Sequence, residues 1–206
     1  DNILFDTYMG VKYLYSDYDP GLGYESIGNN MYMNDDVFPM LYASNNILNE
    51  KDFDSYEYPN YLELLLNNVI TTSSMNNNTE KVSLEYDVIS NDGVDVTKND
   101  DGYVLKVKDK GTINIKLKNK LENKLLFINL YGLKENSCKY DNIVMSINNM
   151  DNLLTCRGWT YANKNYTFRY LISDKVIQDI DIKLTKGTYN IKDIETYVLD
   201  YDNVTG

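Results

Sequence analysis

Histidine is absent from all 206 residues. That removes imidazole general bases, Ser-His-Asp and Cys-His nucleophile systems, and every histidine metal site. Cysteine occurs only as Cys138 and Cys156, too widely spaced for a CxxC site and too few for structural zinc. The pair reads either as two buried thiols or as a disulfide tying adjacent strands of an exported domain. Long apolar runs are missing too. The longest, around Leu62–Ile70 and Leu125–Leu130, reach half or less of the ~18 to 20 residues that a membrane-spanning helix needs. Positive charge is scarce: 20 Lys and Arg stand against 31 Asp and Glu, a net charge of −11. Such a surface repels phosphate backbones and anionic lipid leaflets, so nucleic acid is not expected as a partner.

What is present divides by texture. Residues 1–75 are rich in Tyr and Asn and hold all three prolines, Pro20, Pro39 and Pro59. Val11–Tyr15, Met31–Met33 and Met40–Ala43 read there as short strands, with turn chemistry in DPGLG at 19–23. One helix is predicted near 59–70, where Leu62, Leu65, Leu66 and Val69 fall at i, i+3, i+4 and i+7, and where Pro59 suits the first turn. The polar, aperiodic tract 71–80 marks a boundary, with 76–80 as linker or loop.

From 81 to 206 the period is two. Thr112–Lys118 and Gln178–Thr185 alternate without exception, and Val82–Ile89, Tyr103–Val107, Leu125–Tyr131, Ile143–Ile147, Tyr166–Ile172 and Glu195–Leu199 complete the set. Turns are expected at Asn99-Asp-Asp-Gly102, Lys110-Gly111, Asn148-Asn149 and Lys186-Gly187, and at Asn91-Asp92-Gly93. The fold class that follows is mainly β: an antiparallel, jelly-roll-like β-sandwich preceded by a small α+β region with one helix.

Arg157-Gly-Trp159-Thr-Tyr161 is the best local candidate for sugar contact. Aromatic faces stack on pyranose rings, Arg and Tyr hydrogen-bond hydroxyls, and alternation puts Arg157, Trp159 and Tyr161 on one face. The competing reading, which leads, is a single Trp filling space between sheets. Asp17-Tyr-Asp19 matches the DxD pattern that holds a metal and a nucleotide sugar, but Pro20-Gly21 follows at once, so a turn capped by Asp side chains is preferred. Asp200-Tyr-Asp202 is treated alike. Asn99-Asp-Asp-Gly102 lacks the spaced register of a calcium loop. No catalytic residue, metal ligand or cofactor is assigned.

Five short segments, in order, resemble the extracytoplasmic C-terminal region of YfhO-type bacterial membrane proteins. Tyr8-Met-Gly-Val-Lys-Tyr-Leu-Tyr15 resembles that family's LGVKYV segment, and Met31-Tyr-Met-Asn34 its vYeN. Phe38-Pro39-Met-Leu-Tyr-Ala43 stands where the family has a Leu-Pro segment, with Phe38 in place of the Leu. Tyr58-Pro59-Asn60 leads into the helix as an NPF element does there, without the family's Gln. Lys186-Gly187-Thr-Tyr189-Asn-Ile-Lys-Asp-Ile194-Glu-Thr-Tyr197 is similar to its kGxYxlxdixiY close. The resemblance implies a GT-C-like glycosyltransferase that uses a lipid-linked sugar to glycosylate cell-surface polymers of the lipoteichoic acid type. On that expectation the chain is an outer, non-catalytic domain on the extracytoplasmic face of a bacterial cell membrane. Its partners would be the membrane domain of the same polypeptide and a cell-surface glycan or lipid-linked sugar. The residue-based alternative is a secreted carbohydrate-binding or adhesion β-sandwich module.

Overall fold

A computed structural model describes residues 2–39, 46–67, 69–71, 79–135, 142–156 and 160–202. The first third holds α1 (Ile3–Tyr8), β1 (Tyr13–Tyr15), β2 (Glu25–Gly28), β3 (Met31–Met33), β4 (Ile47–Asn49), α2 (Glu50–Phe53), α3 (Asn60–Asn67) and β5 (Val69–Thr71). Asn2 starts α1 by accepting hydrogen bonds from the Leu4 and Phe5 amides, both at 3.1 Å, which satisfies two donors that a helix N-terminus leaves open. Strands β1, β3 and β2 form a small antiparallel sheet, and β4 pairs in parallel with β5. The predicted helix is therefore present but shorter. It starts after Pro59 and stops at Asn67, and Val69 belongs to β5, where β-branched residues suit a strand. Leu62 and Leu66 still pack toward the neighbouring sheet as expected. The strand expected at Met40–Ala43 lies outside the described residues.

The remainder is an antiparallel sandwich. It is built from β6 (Glu80–Val82), β7 (Tyr86–Asn99), β8 (Gly102–Glu122), β9 (Lys124–Tyr131), β10 (Lys134–Glu135), β11 (Ile143–Ile147), β12 (Met150–Leu154), β13 (Phe168–Ile172), β14 (Val176–Ile191) and β15 (Asp193–Asp200). One sheet runs β12-β11-β14-β8-β7, with β10 also on β14; the facing sheet runs β13-β9-β15-β6. Between them lies an apolar core that includes Leu105, Ile113, Leu117, Ile128, Met145, Phe168, Ile180 and Leu184. Tyr170 crosses it, donating its hydroxyl to the Met145 carbonyl of the other sheet at 2.8 Å.

Three expected turns are not turns. Asn91-Asp92-Gly93, Lys110-Gly111 and Lys186-Gly187 lie inside β7, β8 and β14, at matching register shifts where three neighbouring strands bend together. A dipeptide with turn chemistry reverses a chain only when the flanking strands pair with each other; here each half pairs onward with the next strand, so the bend is shared as a bulge. The expected strand Val82–Ile89 divides instead: Ser83–Glu85 carries the chain from one sheet to the other. The turns at Asn99–Gly102 and Asn148–Asn149 are hairpins as expected, the latter with φ of 44° and 66°.

The four-stranded sheet is covered on both faces. Leu126, Ile128 and Leu130 face the sandwich core, while Leu125 and Phe127 face outward into a second cluster with Ile3, Leu4, Leu22, Leu66, Leu171 and Leu199. That is why Lys124–Tyr131 reads as a nearly continuous apolar run rather than an alternation. The first third of the chain is thus a third layer that shares a core with the sandwich.

Candidate functional site

Strand β13 sets the site. Phe168, Tyr170 and Ile172 point into the core, so alternation turns Arg169 to the opposite, outer face. Its guanidinium carbon lies 5.2 Å from the ring centroid of Tyr58, a cation–π contact. Tyr58 is held in turn by an edge-on contact with Phe127, centroids 5.7 Å apart, and another with Tyr61 at 6.1 Å. Burial of the Tyr58 phenol, with the neighbouring Tyr61, pushes its pKa up against the opposing pull of Arg169, so it stays a neutral hydroxyl.

This pair forms the floor of a groove of about 560 Å³, walled by Tyr18, Asp19, Asn149, Asp151 and Asp174 among others. The walls are tied to one another. The Asn148 side-chain amide donates to Asp174 Oδ2 at 3.3 Å, while Asn148 Oδ1 accepts the Asp181 amide at 2.8 Å. The Asn152 amide donates to the Arg169 carbonyl at 2.8 Å, and the Ser173 hydroxyl to the Pro20 carbonyl at 3.2 Å. Hairpin, N-terminal loop and β13–β14 turn are therefore fixed before any ligand arrives. The groove combines an aromatic face, a planar cation, amides and carboxylates in open solvent. Such a set suits a polar, ring-shaped ligand that presents one apolar face and many hydroxyls.

Beside the groove, Arg169, Asn129 and Glu195 stand at one level across β13, β9 and β15. Glu195 accepts from the Lys81 ammonium and from the Tyr197 hydroxyl, the latter at 2.9 Å. Asn129 is fully buried; its amide donates to the Tyr131 hydroxyl at 3.1 Å, while its Oδ1 has no hydrogen-bond partner among the described residues. The Lys81 contact, followed by the tyrosine hydroxyls, holds the Glu195 carboxyl below the usual range. A depressed folded-state pKa gives stability that is complete above the unfolded value of ~4.3 and is lost as pH falls through the lower folded value. Glu195→Gln is expected to remove that part of the acid limb in urea titrations as pH falls below the unfolded value of ~4.3. An unchanged acid limb would remove Glu195 from the explanation.

Of the residues picked from the sequence, Asp19 is one of the groove walls and Tyr161 is not. Arg157 and Trp159 lie outside the described residues. Tyr161 is 89% exposed in the connection between β12 and β13 and is not among the groove walls. Cys156 is fully buried and disulfide-bonded; Cys138 lies outside the described residues. Asp19 Oδ1 accepts the Gly21 amide at 2.8 Å, and Asp17 Oδ1 accepts the Asn30 side-chain amide at 3.2 Å, so the DxD pair serves the turn and the adjoining hairpin. No cluster of three or more acidic or thiol side chains placed to hold a metal occurs among the described residues. Arg169 is not singled out by the sequence, and Tyr58 only as the head of the segment that leads into the helix. The available signal was rarity: Arg157 and Arg169 are the chain's two arginines, and Arg rather than Lys is the residue for flat stacking.

No family model matches the chain, and no curated protein does. Among solved structures, it is similar to a low-affinity xylan-binding module, CBM86, from Roseburia intestinalis. That match has 16% identity and a TM-score of 0.33, and covers 58% of this chain and 93% of that one. It is also similar to the C-terminal CBM6 of LamC from Zobellia galactanivorans, at 11% identity and a TM-score of 0.35, covering 59% and 98% respectively. A third is the exo-β-1,3-galactanase of Phanerochaete chrysosporium, at 11% identity and a TM-score of 0.28, covering 57% of this chain and 30% of that one.

Proposed function

We propose that this β-sandwich is a carbohydrate-binding module that takes glycan in the groove over Arg169 and Tyr58. The observation that carries the reading is the guanidinium stacked on Tyr58 at 5.2 Å on the floor of an open groove walled by amides and carboxylates. A sugar ring lies against the exposed edge of this stack, and its hydroxyls replace water on Arg169 and Asp151. The test is calorimetric titration with xylan, β-1,3-glucan and galactan oligosaccharides, with glycerol-phosphate oligomers as the anionic comparison. At least one neutral glycan is expected to bind. Arg169→Ala is expected to weaken it about tenfold or more, ~1.4 kcal/mol, with the melting temperature lowered by no more than a few degrees, because the exposed side chain gives up one cation–π contact of about 0.5–1 kcal/mol. Arg169→Lys is expected to weaken it as well, since an ammonium cannot reproduce the planar fork of guanidinium donors. Failure of every glycan to bind, or binding indifferent to Arg169, would sink the proposal.

The YfhO resemblance supplies a more particular setting: an outer domain beside a membrane part of the same polypeptide, on the extracytoplasmic face of a bacterial membrane. It rests on the short segments quoted above. No helix among the described residues is long and apolar enough to cross a membrane. In that setting the net charge of −11 favours contact with a neutral sugar over tracking a phosphate-rich polymer.

A further inference from the structure

Strand β7 is an edge. Among the described residues it pairs with β8 and with no other strand, so one side of a 14-residue strand keeps its backbone donors and acceptors open. Edges that resist pairing commonly turn charge inward. Most of this one does the reverse. Its inner row is Tyr86, Val88, Asn91, Val94 and Val96 before Lys98 ends it, as the register with Leu117, Ile115, Ile113, Val107, Leu105 and Tyr103 shows. Among the described residues the facing sheet ends in the three-residue β6. The result is an apolar cleft of about 340 Å³ between the sheets, with Tyr86, Val88 and Val96 each about half exposed on one lip and Ile194 on the other. The outer row of the same strand carries Asp87, Asp92 and Asp95, with Asp87 and Asp95 opposite Lys116 and Lys106 of β8, so a basic residue on the open side continues an alternation of charge across the sheet.

We propose that β7 is a docking edge for an extended segment of a partner polypeptide whose residues alternate between apolar and basic. Such a strand, laid along Val94–Asn99, takes up the open backbone groups. Its apolar residues enter the cleft over Val96 and Ile194. Its Lys or Arg residues come to the outer face, the nearest of them beside Asp95 at cross-strand distance. Charge complementarity selects this occupant over a second copy of the chain, because antiparallel pairing of two β7 edges would set Asp rows side by side.

The test uses the whole chain and two acetylated, amidated heptapeptides, KIKVKVK and EIEVEVE, titrated by fluorescence anisotropy. The lysine peptide is expected to bind at least tenfold more tightly than the glutamate peptide. Val96→Lys, a change at an exposed position, is expected to abolish binding, and Asp95→Lys to shift the preference toward the glutamate peptide. Both variants are expected to keep the parent melting temperature. Equal binding of the two peptides, or no binding of either, overturns the proposal. So does a preference unmoved by Asp95→Lys, or a dimer of the free chain in sedimentation that Val96→Lys disperses.

Discussion

Replacing Phe127 with Ala is expected to cost about 3 to 5 kcal/mol of folding stability. Phe127 is fully buried and lies on the outer face of β9, packed among Leu125, Leu171 and Leu199 of its own sheet and Ile3, Leu4 and Leu66 of the third layer. Removing the ring leaves a cavity lined from both sides, and neither side can collapse into it without dragging a strand or a helix. Tyr58 also loses its edge contact, so the floor of the groove loosens together with the core. Phe127→Leu keeps most of the volume and is expected to cost under about 1.5 kcal/mol. Urea denaturation followed by both fluorescence and far-UV circular dichroism reads the result. Were the first third a loosely attached unit, the Ala variant would cost less than ~1 kcal/mol and would unfold in two separate transitions. A single transition with a large loss marks the shared core.

The same shared core explains what the sequence could and could not disclose. Alternation identified β11 at its observed bounds, most of β8 and half of β14, because those strands have one buried face and one wet one, and it found most of β15 as well. The β9 segment was recognisable as a strand, yet its continuous hydrophobicity announced burial on both faces only once a third layer was known to lie against it. The helix was visible from Leu62 and Leu66. Its early end was not, because the parallel pairing of β5 with β4 is a tertiary contact between segments some twenty residues apart. At the candidate site the difficulty is of another kind. Arg169 sits in the strand FRYLI, where one charged residue among apolar ones reads as an ordinary solvent-facing position. Tyr58 sits before a helix, 111 residues away in sequence, and nothing local pairs the two. Arg157, Trp159 and Tyr161 drew attention because their chemistry is concentrated in one short stretch, whereas the groove assembles its chemistry from four separate ones.

Gly93 carries the other large expected effect, and it comes from the bend that turn chemistry disguised. Gly93 on β7, Gly111 on β8 and Gly187 on β14 lie at the level where the three strands bend together. Gly93 has φ of 70°, and a Cβ there would run into the Lys110 carbonyl oxygen of the adjacent strand. A Cβ on Gly111 would meet the Val94 side chain, and one on Gly187 would lie 2.7 Å from Ile143 Cγ2. Close approach of backbone to backbone therefore requires glycine at position 93, while at 111 and 187 a neighbouring side chain fills the space that a Cβ would take. Gly28 provides the comparison, since its φ is 91° but a Cβ there meets nothing within 4 Å among the described residues. Gly28→Ala is expected to cost about 1 to 2 kcal/mol, the strain of a left-handed L-residue alone. Gly93→Ala adds the displacement of β8 to the same strain and is expected to cost at least ~2 kcal/mol more, in the range of an overpacked core position. Equal losses for the two variants would mean that the Lys110 carbonyl yields freely and that the bend is not locked. A larger loss at Gly93, with peptide binding at Val94–Asn99 weakened in parallel, ties the geometry of the β7 edge to the bend beneath it.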